Sequence, residues 1–378
     1  MKPSPATLNN NMNILYVTNA RLPTEKAHGL AIVKTCEALA HAGHTVLLIA
    51  PERHNPLRED IFAYYGVAKN FALKKLSTLN LSGGRIGFLV QEISFAIHAA
   101  LYLRGKEGII YSRDDVVLWV LWLLGHRSFI WESHTGGWNF CARTIARKSR
   151  ALVVISGGLK DFYVESGIPA SKISVIPSAI DMEQFARPES KSDARKRLGL
   201  PLDAHVAMYI GRFDGWKGSN TLFEASKLLP ADICIVAIGG EPHEVADLKA
   251  RYPRVIFPGF RPYKELADNQ SVADVLVVPN TGKDVISARF TSPLKLIAHM
   301  ASGRPIVATD LPSIREITGS DAAVLVTPDD AEALAVGIQK VLADTPLGER
   351  LAKRALEKVE RYTWKSRAVA ITKLLANI

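Results

Sequence analysis

Strand and helix signals alternate along the whole chain, and that alternation predicts an α/β fold with parallel sheets. Two further observations extend the prediction to two Rossmann-like domains facing each other across a cleft. At 378 residues the chain exceeds one ordinary core. It also uses a strand, a glycine-bearing turn and a helix near its start, and repeats that order from residue 206 onward. Apolar residues at 48% and charged residues at 22% fit a folded rather than a disordered chain.

In the first domain, apolar runs at 13–18 and 45–50 read as buried strands flanking a helix from Gly29 to the turn at Gly43. Residues 86–104 read as a long amphipathic helix, with later strands at 109–111, 128–131, 151–155 and 173–176. Pro188 and a run of charge break the pattern, so a linker is expected over 181–193. Strands at 206–210, 233–238, 255–257, 275–278, 305–308 and 323–326 then build the second domain, and the last fifty residues read as helical. The expected division is 1–184, 185–360 and a terminal helix, 361–378, returning to the first domain.

The totals narrow the function. Cys36, Cys141 and Cys234 lie far apart with no metal-ligand spacing, so free thiols in a reducing, cytoplasmic compartment are expected, with no metal and no cofactor. The first twelve residues are polar and do not read as a secretory signal. The longest apolar stretch, 116–124 with Trp119 and Trp122, falls short of the ~20 residues of a membrane span. It reads as a core helix, or, with one face exposed, as a contact for a lipid-linked acceptor at the inner membrane surface. The net charge of +10 suits solubility or an anionic partner. Its clusters (Arg143, Arg147, Lys148 and Arg150; Lys191, Arg195, Lys196 and Arg197) lack the aromatic interleaving of a nucleic-acid reader, so no nucleic acid is expected. No G-x-G-x-x-G follows the first strand, which argues against a dinucleotide dehydrogenase.

Two segments carry chemistry. Residues 211–218 follow a strand and open a helix, so Gly211, Arg212 and Lys217 set a tight turn and two cations at the carboxyl edge of a sheet, a combination suited to a diphosphate or to a solvated basic turn. In 290–310, Ser292 is read as an N-cap and Pro293 as the first helical residue, leaving the amides of Leu294 and Lys295, with the Lys295 ammonium, for phosphate oxygens.

Order and spacing of further pieces resemble the retaining glycosyltransferases of family 4, which have the GT-B fold: His28, Gly29 and Leu30; 43–46; Glu132, Ser133 and His134; 154–156; 175–181 followed by Phe185; Gly211 and Arg212 with Lys217 and Gly218; 273–279; and Ser292 to Lys295 followed by 300–303. The resemblance implies an acceptor-side first domain and a nucleotide-sugar-binding second domain. It implies retaining, metal-independent transfer of a glycosyl group from a nucleoside diphosphate sugar to a glycan or lipid-linked hydroxyl, as in polysaccharide biosynthesis with peripheral membrane contact. His134, Arg212 and Lys217 would be catalytic, and Gly29, Gly211, Ser292, Leu294 and Lys295 would bind the donor; Ser156 and Lys160 begin a helix at the same cleft. The family's two glutamates, eight positions apart, are replaced by Phe290 and Ala298, with Asp284 and Asp310 as candidate substitutes for the ribose contact. A catalytically weak binding protein and a sugar-nucleotide epimerase are the alternatives.

Overall fold

The computed structural model describes residues 11–79 and 84–378; most of the polar N-terminal segment read above as no secretory signal lies outside them. The chain forms two compact units: 1–155, 159–177 and 364–378 make the first, and 156–158 with 178–363 the second.

The first unit runs β1 (Asn13–Val17), α1 (Ala27–His41), β2 (Thr45–Glu52), α2 (Ile61–Tyr65), β3 (Ala72–Ser77), α3 (Gly84–Leu103) and β4 (Ile109–Ser112). It continues through α4 (Asp115–Leu123), β5 (Phe129–Ser133), α5 (Phe140–Lys148), β6 (Ala151–Val154), α6 (Gly157–Glu165) and β7 (Ile173–Val175). All pairings are parallel, in the order β3-β2-β1-β4-β5-β6-β7. Central strands such as β1 and β4 are mostly apolar and, apart from Asn13, buried, because helices cover both faces. β3, missed in the sequence, carries Lys74 and Lys75; it is an edge strand, where charge is tolerated and blunts further pairing.

The second unit comprises α7 (Lys191–Leu198), β8 (His205–Ile210), α8 (Ser219–Ala225), β9 (Ile233–Ile238), α9 (Pro242–Arg251), β10 (Val255–Gly259) and α10 (Leu266–Ser271). Then come β11 (Val275–Val278), α11 (Leu294–Ala301), β12 (Ile306–Thr309), α12 (Pro312–Thr318), β13 (Val324–Val326), α13 (Ala331–Ala343) and α14 (Thr345–Val359). Its parallel sheet has the order β10-β9-β8-β11-β12-β13. The last helix, α15 (Trp364–Ala376), belongs to the first unit, where Ala368, Ile371 and Leu375 pack into the core beside Ile32, Val33, Cys36 and Leu39 of α1.

Each sheet therefore reverses its strand order once, between β1 and β4 and between β8 and β11. The loops after those strands diverge and leave a crevice at the sheet's carboxyl edge, the place where parallel sheets bind ligands.

Among the described residues one helix, α3, is long and apolar enough to cross a membrane by length and composition, with 28% of its most apolar window buried. The uninterrupted stretch 116–124 instead falls on the short α4, which buries Val117, Leu118, Val120 and Leu121.

Candidate functional site

At the first sheet, β4 and β5 direct Tyr111 and Glu132 inward. Glu132 is fully buried, and its Oε1 meets Arg113 at 2.9 Å, Arg367 at 2.6 Å and His134 Nε2 at 2.5 Å. The Tyr111 hydroxyl donates to Oε2. Burial alone would raise this carboxyl; the two guanidiniums overrule it and hold Glu132 well below the usual carboxylate range. Burial, followed by the nearby Arg113 charge, lowers His134 to about 4 against the pull of Glu132, so the ring is neutral at pH 7. A neutral ring that bonds a carboxylate through Nε2 carries its proton there, which leaves the Nδ1 lone pair as the acceptor. Arg367 also donates to the carbonyls of Ile176 and Pro177, at 2.8 and 2.6 Å, and so ties α15 to the end of β7.

The loops at this sheet's reversal are also linked. The Asn19 amide donates to Asp114 Oδ2 at 2.8 Å, and Arg53 donates to Asn19 Oδ1 at 2.5 Å. Gly29 lies in the first turn of α1. A Cβ there would stand 2.3 Å from the Tyr65 hydroxyl and 2.4 Å from the Thr24 methyl, so local packing already requires glycine.

At the second sheet, the segment after β8 is a short 3₁₀ turn, Gly215–Lys217, ahead of α8. Two of its backbone amides are engaged: Gly211 donates to Ile238 at 3.0 Å and Lys217 to Asp214 at 3.0 Å. Gly218 has φ +70°, and a Cβ would fall 1.8 Å from the Pro279 carbonyl, so glycine alone lets this loop close on the segment after β11.

Arg212 is 83% exposed in its side chain and lies 3.4 Å from Asp214. Lys217 Nζ sits 4.1 Å from the Trp216 ring centre and Lys295 Nζ 4.6 Å from that of Tyr209. Lys295 Nζ is buried with no hydrogen-bond partner. Burial, and then the Lys217 charge, push it well below the usual lysine range; burial, with Arg212 beside it, also lowers Lys217, and Asp214 opposes both shifts. Asn280, after β11, is fully buried with both side-chain amide atoms unpartnered. It carried no signal in the sequence beyond following a strand.

Three readings of this region change. Ser292 is not the N-cap of α11: its Oγ accepts from the Ser178 amide at 3.0 Å, and Pro293 takes the capping position. Leu294 and Lys295 remain the first two helical residues, whose amides have no partner within a helix. Asp284 caps the turn over Ile286–Phe290 through the amides of Ile286 and Ser287, and Asp310 is held by Arg315, so each already has a partner within the protein. Phe290 is buried, and Ala298 belongs to the apolar core with Val272, Leu276 and Ile306. His299, next in the helix, meets Gln270 at 2.9 Å, and burial followed by the Lys295 charge lowers it to about 3. Ser156 donates to the Arg289 carbonyl, and both Glu316 oxygens accept from the Gly157 amide at the start of α6.

Two family models match the chain: one described as Glycosyltransferase Family 4 over residues 31–184, the other as Glycosyl transferases group 1 over residues 204–344. A D-inositol 3-phosphate glycosyltransferase of Xylanimonas cellulosilytica is 29% identical over 225 residues, 56% of this chain and 52% of that one. The putative teichuronic acid biosynthesis glycosyltransferase TuaC of Bacillus subtilis is 27% identical over 247 residues, 65% of this chain and 60% of its own. The chain thus spans about half the length of the curated relatives it matches. Among solved structures, sucrose-phosphate synthase from Thermosynechococcus elongatus superimposes with TM-score 0.79 at 23% identity, covering 97% of this chain and 99% of that one. Anabaena HepE in complex with UDP and glucose gives 0.79 at 16%, covering 97% and 100%. At such identities these likenesses establish the shared GT-B fold.

Proposed function

Because the chain belongs to the group 1, family 4 glycosyltransferases, we propose that it moves a glycosyl group from a nucleoside diphosphate sugar to a hydroxyl of a glycan or lipid-linked acceptor, with retention at the anomeric carbon. The observation that carries this reading is the Lys217–Lys295 pair, two desolvated cations at the reversal of the second sheet, one of them without a hydrogen-bond partner. An anion of diphosphate size supplies what both lack.

The bond from the anomeric carbon to the diphosphate breaks with its electron pair leaving on phosphate oxygen. The acceptor oxygen forms its bond on the same face, and its proton passes to that phosphate oxygen. Charge grows on the diphosphate as the bond breaks, so Lys217, Lys295 and Arg212, with the amides of Leu294 and Lys295, hold the transition state more tightly than the bound donor. These cations bring the positive charge that a metal would, which supports a metal-independent reaction. Gly29, Gly211 and Ser292 are assigned supporting places around the donor. His134 is assigned the transferred sugar, its Nδ1 accepting from a sugar hydroxyl. Free Cys36, Cys141 and Cys234 support a cytoplasmic setting, at the inner face of the membrane where lipid-linked acceptors lie.

The burial of Phe290 and Ala298 favours a second reading, a protein that binds nucleotide sugar with little turnover. A thermal-shift series with UDP, GDP, ADP and their sugars, beside a transfer assay, separates the two; UDP comes first because HepE is solved with it. No stabilisation by any diphosphate sinks the donor assignment, binding without transfer selects the second reading, and an altered nucleotide sugar without acceptor points to an epimerase.

A further inference from the structure

The helical layer α3–α4–α5 of the first unit carries an apolar surface that its own core does not use. In α3, Phe95, Ala96, Ala99, Ala100 and Leu103 are buried. About a third of a turn away, Ile86, Leu89, Ile93, Ile97 and Leu101 fall within about 120° of arc and run about 22 Å along the helix. Ile86 is 79% exposed, Leu101 49%, Leu89 45% and Ile97 41%. Neighbouring α4 and α5 extend the surface with Leu123, Leu124 and Phe140, the last 71% exposed.

Charge on this layer is one-sided. Between residues 84 and 150 Glu107 is the sole exposed carboxylate, whereas Arg85, Arg104, Lys106, Arg127, Arg147 and Lys148 are exposed. Several cations sit on half-buried aromatic rings: Arg127 and Lys148 lie 4.9 and 5.8 Å from Trp122, and Lys106 lies 4.6 Å from Tyr102. An apolar stripe edged by aromatics and cations matches the boundary between acyl chains and anionic headgroups. A second copy of this chain would bring the same cations against themselves. A membrane-spanning role would strip Phe95, Ala99 and Leu103 from their packing and place Glu92 in the bilayer.

We infer that the α3 stripe, with the ends of α4 and α5, is an in-plane docking surface for a bilayer rich in anionic lipid. The inference deepens the reading of a lipid-linked acceptor by naming the surface that brings the enzyme to it. Co-sedimentation of the full chain with vesicles of phosphatidylcholine, alone or mixed with phosphatidylglycerol, tests it. Wild type should bind the anionic vesicles at least about tenfold more tightly than the neutral ones. Ile97→Asp/Leu101→Asp should lose most of that binding, and Arg127→Glu/Lys148→Glu its preference for anionic lipid. Ile86→Asp/Leu89→Asp, at the other end of the stripe, is the substitute if the first pair fails to fold. Absent wild-type binding, equal binding by the folded aspartate variants, or a dimer that those variants dissolve without any lipid effect would each overturn the docking surface. UDP-induced stabilisation is read in the same samples. Its absence alongside charge-selective vesicle binding removes the donor assignment and supports the docking surface on its own.

Discussion

The two sheets reverse strand order in the same way, yet they leave their charges in opposite conditions. In the first unit the buried Glu132 is surrounded by Arg113, Arg367, His134 and Tyr111, so its charge is compensated within the protein, although the Nε atoms of Arg113 and Arg367 have no hydrogen-bond partner. In the second, Lys295 is buried with no bond to its ammonium, Lys217 crowds it, and both amide atoms of Asn280 are unmet. Burying a charge is tolerable when a partner stands beside it and costly otherwise. The first arrangement reads as finished architecture and the second as a site waiting for an anion.

The largest effect should come from breaking the finished web. Arg367→Ala leaves Glu132 under-compensated and is expected to destabilise the protein by about 3–5 kcal/mol in urea unfolding; a loss under 1 kcal/mol would mean that Arg113 suffices. On the waiting side, Lys217→Ala and Arg212→Ala should each cost about 2–4 kcal/mol in the transition state, read as kcat/KM, at nearly unchanged melting temperature. Lys295→Met is the sharper variant. It should melt at or above wild type without nucleotide and lose the stabilisation that UDP gives. A drop in the empty protein's melting temperature would show that Lys295 has a protein partner after all.

Ala298→Glu puts a carboxylate among Val272, Leu276 and Ile306. The melting temperature should fall by the equivalent of about 1–3 kcal/mol with no gain in nucleotide affinity; tighter binding at unchanged stability would reveal a vacated ribose contact. His134→Ala should slow transfer about tenfold, the worth of one hydrogen bond, and leave UDP affinity intact by calorimetry. The smallest effect is a proton. Lys295 is held below its ordinary range, and a bound diphosphate raises it, so the complex takes up a fraction of a proton and affinity falls as pH rises. Calorimetry in buffers of different ionisation heat would detect this, and proton release would reverse the assignment.

What the sequence reveals follows the range of the interactions. Gly211, Arg212 and Lys217 could be found because a strand, a turn and a helix are contiguous. Arg113, Tyr111 and Arg367 could not be assembled around Glu132, because their meeting depends on strand order and on where α15 packs. Ser292 before Pro293 looks like a helix cap locally, but the Ser178 amide, distant in sequence, claims its hydroxyl. β3 escaped notice because an edge strand need not be apolar. Lys295 was legible as a cation, whereas its isolation was not, since desolvation belongs to the packed state.

Arg367 also sets an order of events. It joins carbonyls at Ile176 and Pro177, the first of them 191 positions earlier in the chain. During synthesis the strands of the first unit emerge long before this arginine does. Until residue 367 has left the ribosome, Glu132 has one guanidinium instead of two, and the α1 face that receives Ala368, Ile371 and Leu375 is uncovered. Of the two units, the one that starts earlier in the chain is thus completed later, and an apolar face left uncovered in that interval is an aggregation hazard.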